Sequence, residues 1–300
     1  MNITGIIDSE ASLTDIVLKA MQKTPNPRMR QIMEAVVIHA HALVRELDLT
    51  EEEFNTALQF ITQIGQATND SHNEVVLAAD VLGISTLVAL RNNPQQHGQT
   101  AAALLGPFWR TNAPECNNGD CISRSNTPGK PMYVSGQVRG VDGHVVADAL
   151  IDVWQASPVG LYENQDPHQE EMNLRGRFRT DSEGRYHFFT VRPAGYPVPT
   201  SGPVGVLLDK QHRHPFRPAH IHFMVSAPGF KTLITQVFAD DSEYLGSDVV
   251  FGVTKDLVGR FEQCAGNQAF PGNRKNAEYA LDYDFVLEPG MPCFPTPPIK

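Results

Sequence analysis

The spacing of apolar residues changes period once along the chain. Up to about residue 95 they recur at helical intervals. Met29, Ile32, Val36, Ala40, Leu43 and Leu47 form one stripe, entered through Asn26-Pro27, an N-cap followed by a first-turn proline. Thr50 with Glu53 reads as a capping box for the next helix, whose stripe runs through Phe54, Leu58, Ile61 and Ile64. Ser71 with Glu74 reads as another, ahead of Val75-Val76-Leu77 and the apolar run from Leu82 to Leu90. A small bundle of such helices covers its own stripes only in part, so another domain or subunit is expected against them.

After Asn92-Asn93-Pro94 the pattern becomes short strands between Gly- and Pro-rich turns. The strands are MYVSGQV from Met132, ALIDVWQA from Ala149, GRYHFFTV from Gly184, AHIHFMVSA from Ala219, TLITQVF from Thr232 and EYALDYDFVL from Glu278. In the last, Tyr279, Leu281, Tyr283, Phe285 and Leu287 alternate strictly, as a half-buried strand requires. Turn signals such as Val141-Asp142-Gly143 and Asp181-Ser182-Glu183-Gly184 separate them. The expected fold is mainly β: an antiparallel β-sandwich domain over 105–300, preceded by an α-helical domain over 1–104.

Composition narrows the function. Apolar residues at 41% and charged residues at 19% are globular values. A net charge of −10 argues against nucleic acid or an anionic membrane as the main partner. Every apolar run is too short to span a bilayer. The N-terminus, MNITGIIDSEASLTD, carries acids where a secretory signal has a basic flank and an apolar stretch, so a cytoplasmic location is expected. Cys116, Cys121, Cys264 and Cys293 lack CxxC spacing and read as reduced thiols.

His220 and His222 are the sharpest local signal. In a strand, residues two apart project from one face, so both imidazoles reach a single ion. His39 and His41 share that spacing inside a helix, where the two side chains point about 200° apart. On its own, the strand pair fits a structural pair on a wet face as well as a metal site. A cupin would place Glu a few residues on, and zinc hydrolases or ferrous oxygenases want a further His or a carboxylate. Phe223-Met224-Val225-Ser226-Ala227-Pro228-Gly229 holds no carboxylate. The anionic candidates nearby are Tyr162, in SPVGLYENQ, and Tyr196, in RPAGYPVPT. A lone loop tyrosine is ordinarily a packed aromatic. Two phenolates and a hydroxide, though, would balance a trivalent cation, and hard oxygen donors suit ferric iron.

These residues stand in motifs that resemble the intradiol ring-cleaving dioxygenases, and within them the hydroxyquinol and catechol 1,2-dioxygenases. The resemblance covers nearly the whole chain: LLGPFW from Leu104, GQVRGVDGHVVADALIDVWQAS from Gly136, GLYENQ from Gly160, GRFRTDSEGRYHF from Gly176, AGYPVPTSGPVG from Ala194 and RHPFRPAHIHFMVSAPGF from Arg213. It implies Fe(III), one per subunit, held by Tyr162, Tyr196, His220 and His222. Arg217 takes the family's active-site arginine position and Gln236 that of a glutamine beside the iron. Alone, either reads as an ordinary salt-bridge or sheet-face residue. Leu77, Asp80, Gly106, Pro107, Phe108, Val198 and Pro199 are the implied pocket walls, with Trp109 where relatives more often carry Phe or Tyr.

The implied reaction cleaves an aromatic 1,2-diol between its hydroxylated carbons with O2, giving 3-hydroxy-cis,cis-muconate (or maleylacetate) or a cis,cis-muconate. Tyr196 is implied to leave the iron as the diol chelates while Tyr162 stays, and Arg217 to stabilise charge developing on the ring. AGYPVPTSGPVG and SDVVFGV from Ser247 look most like hydroxyquinol enzymes, and a carboxylate at Asp80 would suit a third ring hydroxyl. The alternatives are a catechol 1,2-dioxygenase acting on unsubstituted or alkyl catechols, a protocatechuate-type relative, and a non-catalytic transthyretin-like binding module. The resemblance also implies a homodimer formed through the N-terminal helices, with a phospholipid between the subunits.

Overall fold

The computed structural model describes residues 5–124, 126–264, 270 and 277–299. By contact the chain forms two compact units, meeting in sequence between Thr62 and Gln63. In the first, α1 (Leu13–Met21) packs on α2 (Pro27–Glu46), with Thr14 Oγ1 and His41 Nδ1 2.9 Å apart. The Asn26 side chain accepts from Met29 N at 3.0 Å and caps α2. Thr50 and Glu53 form the reciprocal capping box at the start of α3 (Glu51–Ala67): Thr50 N donates to Glu53 Oε2 at 2.9 Å, and Glu53 N to Thr50 Oγ1 at 3.3 Å. The stripe on α2 is open, with Met29, Ile32, Val36, Leu43 and Leu47 between 42% and 59% exposed.

The second unit holds α4 (Glu74–Val81), α5 (Ile84–Asn92) and all the strands. Within this unit α4 buries Leu77, Ala78, Asp80 and Val81. The expected Ser71–Glu74 capping box does not form. Asn73 caps α4 instead, accepting from Val76 N at 2.9 Å, while Ser71 N and Oγ both donate to Asn69 Oδ1. The Glu74 carboxylate is engaged elsewhere: His72 Nε2 contacts it, and it accepts from Val204 N at 2.9 Å in the first turn of α6 (Pro203–Lys210).

One five-stranded sheet centres on β1 (Pro131–Gly140). It pairs antiparallel with β4 (Arg185–Val191) and parallel with β11 (Tyr279–Asp282) and β12 (Phe285–Leu287), and β10 (Glu262–Gln263) lies outside β11. The other runs β3 (Arg175–Arg179), β2 (Leu150–Trp154), β7 (His220–Ser226), β8 (Leu233–Ala239), β9 (Val258–Gly259). A short ribbon joins β5 (Tyr196–Pro197) to β6 (Phe216–Arg217).

Alternate residues of the two large sheets interlock in one core, among them Val134, Phe188, Leu281 and Phe285 from the first and Ile151, Val153, Ile221, Phe223, Val225 and Val237 from the second. The sandwich is as expected, but its pairing is mixed rather than wholly antiparallel. The run from Glu278 splits into two strands because Asp284 Oδ1, not a backbone carbonyl, accepts from Gln137 N at 2.7 Å. Among the described residues no helix is long and apolar enough to cross a membrane.

Candidate metal centre

The period of two decides what β7 presents. Ile221, Phe223 and Val225 enter the sandwich core, so His220, His222 and Met224 face outward. Register then sets a rung of four across the sheet: Arg175 on β3, Trp154 on β2, His222 on β7 and Gln236 on β8. Trp154 stacks on His222 with ring centroids 4.8 Å apart and planes 12° apart. Two loops cover this face. Tyr162 precedes a 3-10 turn, Glu163–Gln165, and Tyr196 opens β5, paired with Arg217 on β6. Gly160, at φ +85°, lets the loops meet, since a Cβ there would stand 2.8 Å from Tyr196 Cβ.

The four side chains form one continuous group. Tyr162 Oη and Tyr196 Oη are 3.3 Å apart, the Tyr196 and His220 ring centroids 5.5 Å, and the Nε2 atoms of His220 and His222 3.2 Å. All four are under 5% exposed. His220 Nδ1 lies 2.7 Å from the Pro218 carbonyl, which only accepts, so the ring carries its proton there and Nε2 keeps its lone pair. Burial, then the charge of Arg217, holds the His220 pKa down at about 3; burial, then His220, lowers that of His222 well below the usual imidazole value. Both rings are neutral at ordinary pH, which is the form that binds metals. Burial raises Tyr162 well above the usual phenol value, with Tyr196 adding to the rise, and raises Tyr196 as well. Ionising either phenol therefore needs a neighbouring positive charge. Among the described residues no three His, Cys, Asp or Glu side chains gather as a metal cluster. The two phenols bring oxygen atoms beside the histidine pair. Two neutral nitrogens and two phenol oxygens suit a hard trivalent cation.

Arg217, 3% exposed, is tied to this group. Its Nη1 donates to His220 Nε2 at 3.1 Å and its Nη2 to Gln236 Oε1 at 2.7 Å, while Nε and Nη2 reach the two oxygens of Asp248 at 3.1 and 3.2 Å. Gln236 Nε2 donates to the Leu104 carbonyl at 2.7 Å, which fixes the start of the LLGPFW segment. That segment is the first part of a family model described as "Dioxygenase", which matches residues 104–289; a second, "Catechol dioxygenase N terminus", matches 26–100. The chain belongs to the intradiol dioxygenase family. A 6-chlorohydroxyquinol 1,2-dioxygenase from Cupriavidus pinatubonensis is 40% identical over 280 residues, 93% of this chain and 98% of that protein. A hydroxyquinol 1,2-dioxygenase from a Rhizobium species is 40% identical over 93% of this chain and 95% of its own length. The crystal structure of a hydroxyquinol 1,2-dioxygenase from Pseudomonas putida superposes with a TM-score of 0.86 at 39% identity, covering 94% of this chain and 99% of that one. An intradiol dioxygenase is an oxidoreductase, so the binding-module alternative is set aside.

In this intradiol dioxygenase the expected wall residues fall into two groups. Phe108 stacks on Tyr162 at 4.5 Å, and Gly106 and Asp80 line one cavity of about 710 Å³ with Ile84, Val88 and Ile234. Leu77 and Val198 are buried and stand three residues before Asp80 and two after Tyr196, and Pro107 and Pro199 adjoin Phe108 and Val198 in the chain. Trp109 directs its indole N–H to Asp152 Oδ2 at 3.2 Å.

Sequence reasoning missed Asp248 and Trp154. Asp248 sits in a turn, its Oδ2 accepting from Gly252 N at 2.9 Å, and an Asp–x–x–x–Gly turn in SDVVFG was the available signal. Gly106, at φ +73°, makes a direct test of the packing on His222. A Cβ there would stand 3.3 Å from His222 Cε1. Gly106→Ala crowds a methyl against His222 and strains the backbone, and is expected to lower turnover about 10–100-fold, as about 1–3 kcal/mol of overpacking and strain would. Metal content per chain and kcat check this; unchanged values would show that the neighbourhood of His222 absorbs the added methyl.

Proposed function

We propose that this intradiol dioxygenase uses Fe(III), one per subunit, held by Tyr162, Tyr196, His220 and His222, and cleaves hydroxyquinol (1,2,4-trihydroxybenzene) with O2 to 3-hydroxy-cis,cis-muconate or maleylacetate. The reading rests on two phenol oxygens and two neutral imidazole nitrogens converging in one buried group. Bound there, the ion would acidify the diol hydroxyls and hold the ring for attack by O2. The residues of the chain do the rest. Tyr196 Oη is suited to accept a diol proton, because burial favours its protonated form. Tyr162 would remain a donor to the ion. The Arg217 guanidinium, held by Asp248 and Gln236, supplies fixed positive charge where the ring turns anionic, at no reorganisation cost.

Asp80 supports the trihydroxy ring over catechol. It is 1% exposed, lines the cavity beside Gly106, and its Oδ2 has no hydrogen-bond partner. An unmet buried carboxylate oxygen is costly, and a third ring hydroxyl would satisfy it. Asp80→Asn is expected to lower the ratio of kcat/KM for hydroxyquinol over catechol about tenfold or more. Burial pushes the Asp80 pKa up to about 6, with Ser85 and Arg217 opposing the rise and Asp248 adding to it. The carboxylate is therefore half ionised near pH 6 and fully ionised only well above it, and the preference for hydroxyquinol fades as the pH falls through that value. Comparing both substrates across pH, with iron and visible absorbance measured on the same protein, tests the reading. An equal preference in the variant favours the catechol alternative, while colourless, iron-free active protein sinks the whole assignment. The open stripe on α2, with Phe54, Leu58 and Ile61 exposed on α3, supports a homodimer through these helices and an apolar ligand such as a phospholipid there.

A further inference from the structure

Glu163 and Arg175 carry charge deep in the fold, yet the reading above gives them no task. Glu163 follows Tyr162 directly; its side chain is 2% exposed and that of Arg175 1%. Arg175 Nε donates to both Glu163 oxygens at 2.8 Å, and Arg110 Nη1 donates to Oε1 at 2.9 Å. The loop that presents Tyr162 is thereby bolted to the first residue of β3. Arg175 also begins the rung that passes through Trp154 to His222.

Two features exceed what anchoring a loop needs. Arg175 Nη1 and Nη2 are buried without a hydrogen-bond partner, so one end of the cation is electrostatically unspent. Its guanidinium carbon also lies 5.7 Å from the centroid of the Tyr162 ring, over the ring face. Tyr196 has Arg217 beside it, paired with Asp248. Arg175 thus adds a second buried guanidinium beside Tyr162, which also feels the charge of Arg217.

Resting on the iron reading, we propose that Arg175 is a positioning residue for Tyr162: through Glu163 it fixes the loop, and its charge over the ring complements that of the metal-bound phenolate. Arg175→Met removes the charge but strands Glu163, so the double variant Glu163→Gln with Arg175→Met, which leaves no lone buried carboxylate, is made beside it. In chelator competition the double variant is expected to hold iron about 10–100-fold more weakly. Against Glu163→Gln alone, a comparison that isolates the loss of positive charge, the visible phenolate-to-iron band of the loaded double variant is expected to move to longer wavelength, because losing nearby positive charge raises the energy of the phenolate electrons. Glu163→Gln with Arg175→Lys, which puts the charge back in the same background, is expected to return the band towards that of Glu163→Gln alone. A folded double variant with wild-type iron affinity and an unshifted band overturns the proposal, as does a band that Lys fails to restore. Wild-type protein loaded with iron but lacking any phenolate band would instead refute the ligand set itself, and this proposal with it.

Discussion

Arg217→Leu is expected to lower kcat by about 10²–10³-fold while leaving the metal bound, the loss seen when one preorganised charge-stabilising group is removed. Arg217 is outside the proposed ligand set, so retention should depend on it only through His220. Stability is a separate matter. The change leaves Asp248 buried with backbone donors alone, and breaking a buried pair by removing one partner costs about 3–5 kcal/mol. Adding Asp248→Asn takes away that stranded charge. The double variant should recover much of the thermal stability and none of the turnover. Steady-state kcat, iron content and a thermal melt on both proteins separate the two effects. Turnover equal to wild type in either would refute the role assigned to the guanidinium.

Tyr162→Phe is expected to abolish iron retention and visible colour in a protein that still folds. The phenol makes a single 3.3 Å hydrogen bond to Tyr196, while its ring is packed on Phe108 and under Arg175. Phenylalanine keeps those ring contacts, so the melting temperature of the metal-free protein should move by only a few degrees, on the order of 1 kcal/mol. Loss of metal should exceed the roughly 10–100-fold that removal of a mere supporting partner costs. Metal analysis and circular dichroism decide it. Colour and iron at wild-type levels would show that this oxygen is not a donor.

What could be read from the sequence was whatever is encoded locally. Asn26 and the Thr50–Glu53 box act within one helical turn, and both form as expected. Alternation along AHIHFMVSA was enough to place His220 and His222 on one face, because the period of a strand does not depend on its neighbours. The failures are non-local. Ser71–Glu74 has the spacing of a capping box, yet Glu74 finds a donor 130 residues away at Val204. Trp154 and Arg175 enter the site only through register with β7, and Asp248 through a turn folded back on Arg217. Parallel pairing of β1 with β11 and β12 is likewise a property of the closed sandwich, not of any strand alone. The site residues came from motif resemblance, and geometry then supplied the partners that hold them.

Because His222 lies between Trp154 and Gln236 in a fixed pairing, its direction depends on correct strand alignment. A slip of one residue in the central strand would turn both imidazoles inward, among Phe178, Phe188 and Val237, and push Ile221 and Phe223 out towards the tyrosine loops. No such misaligned chain could gather the proposed donors. Iron uptake would then act as a check on folding, and apoprotein that refuses the metal would contain the misthreaded fraction.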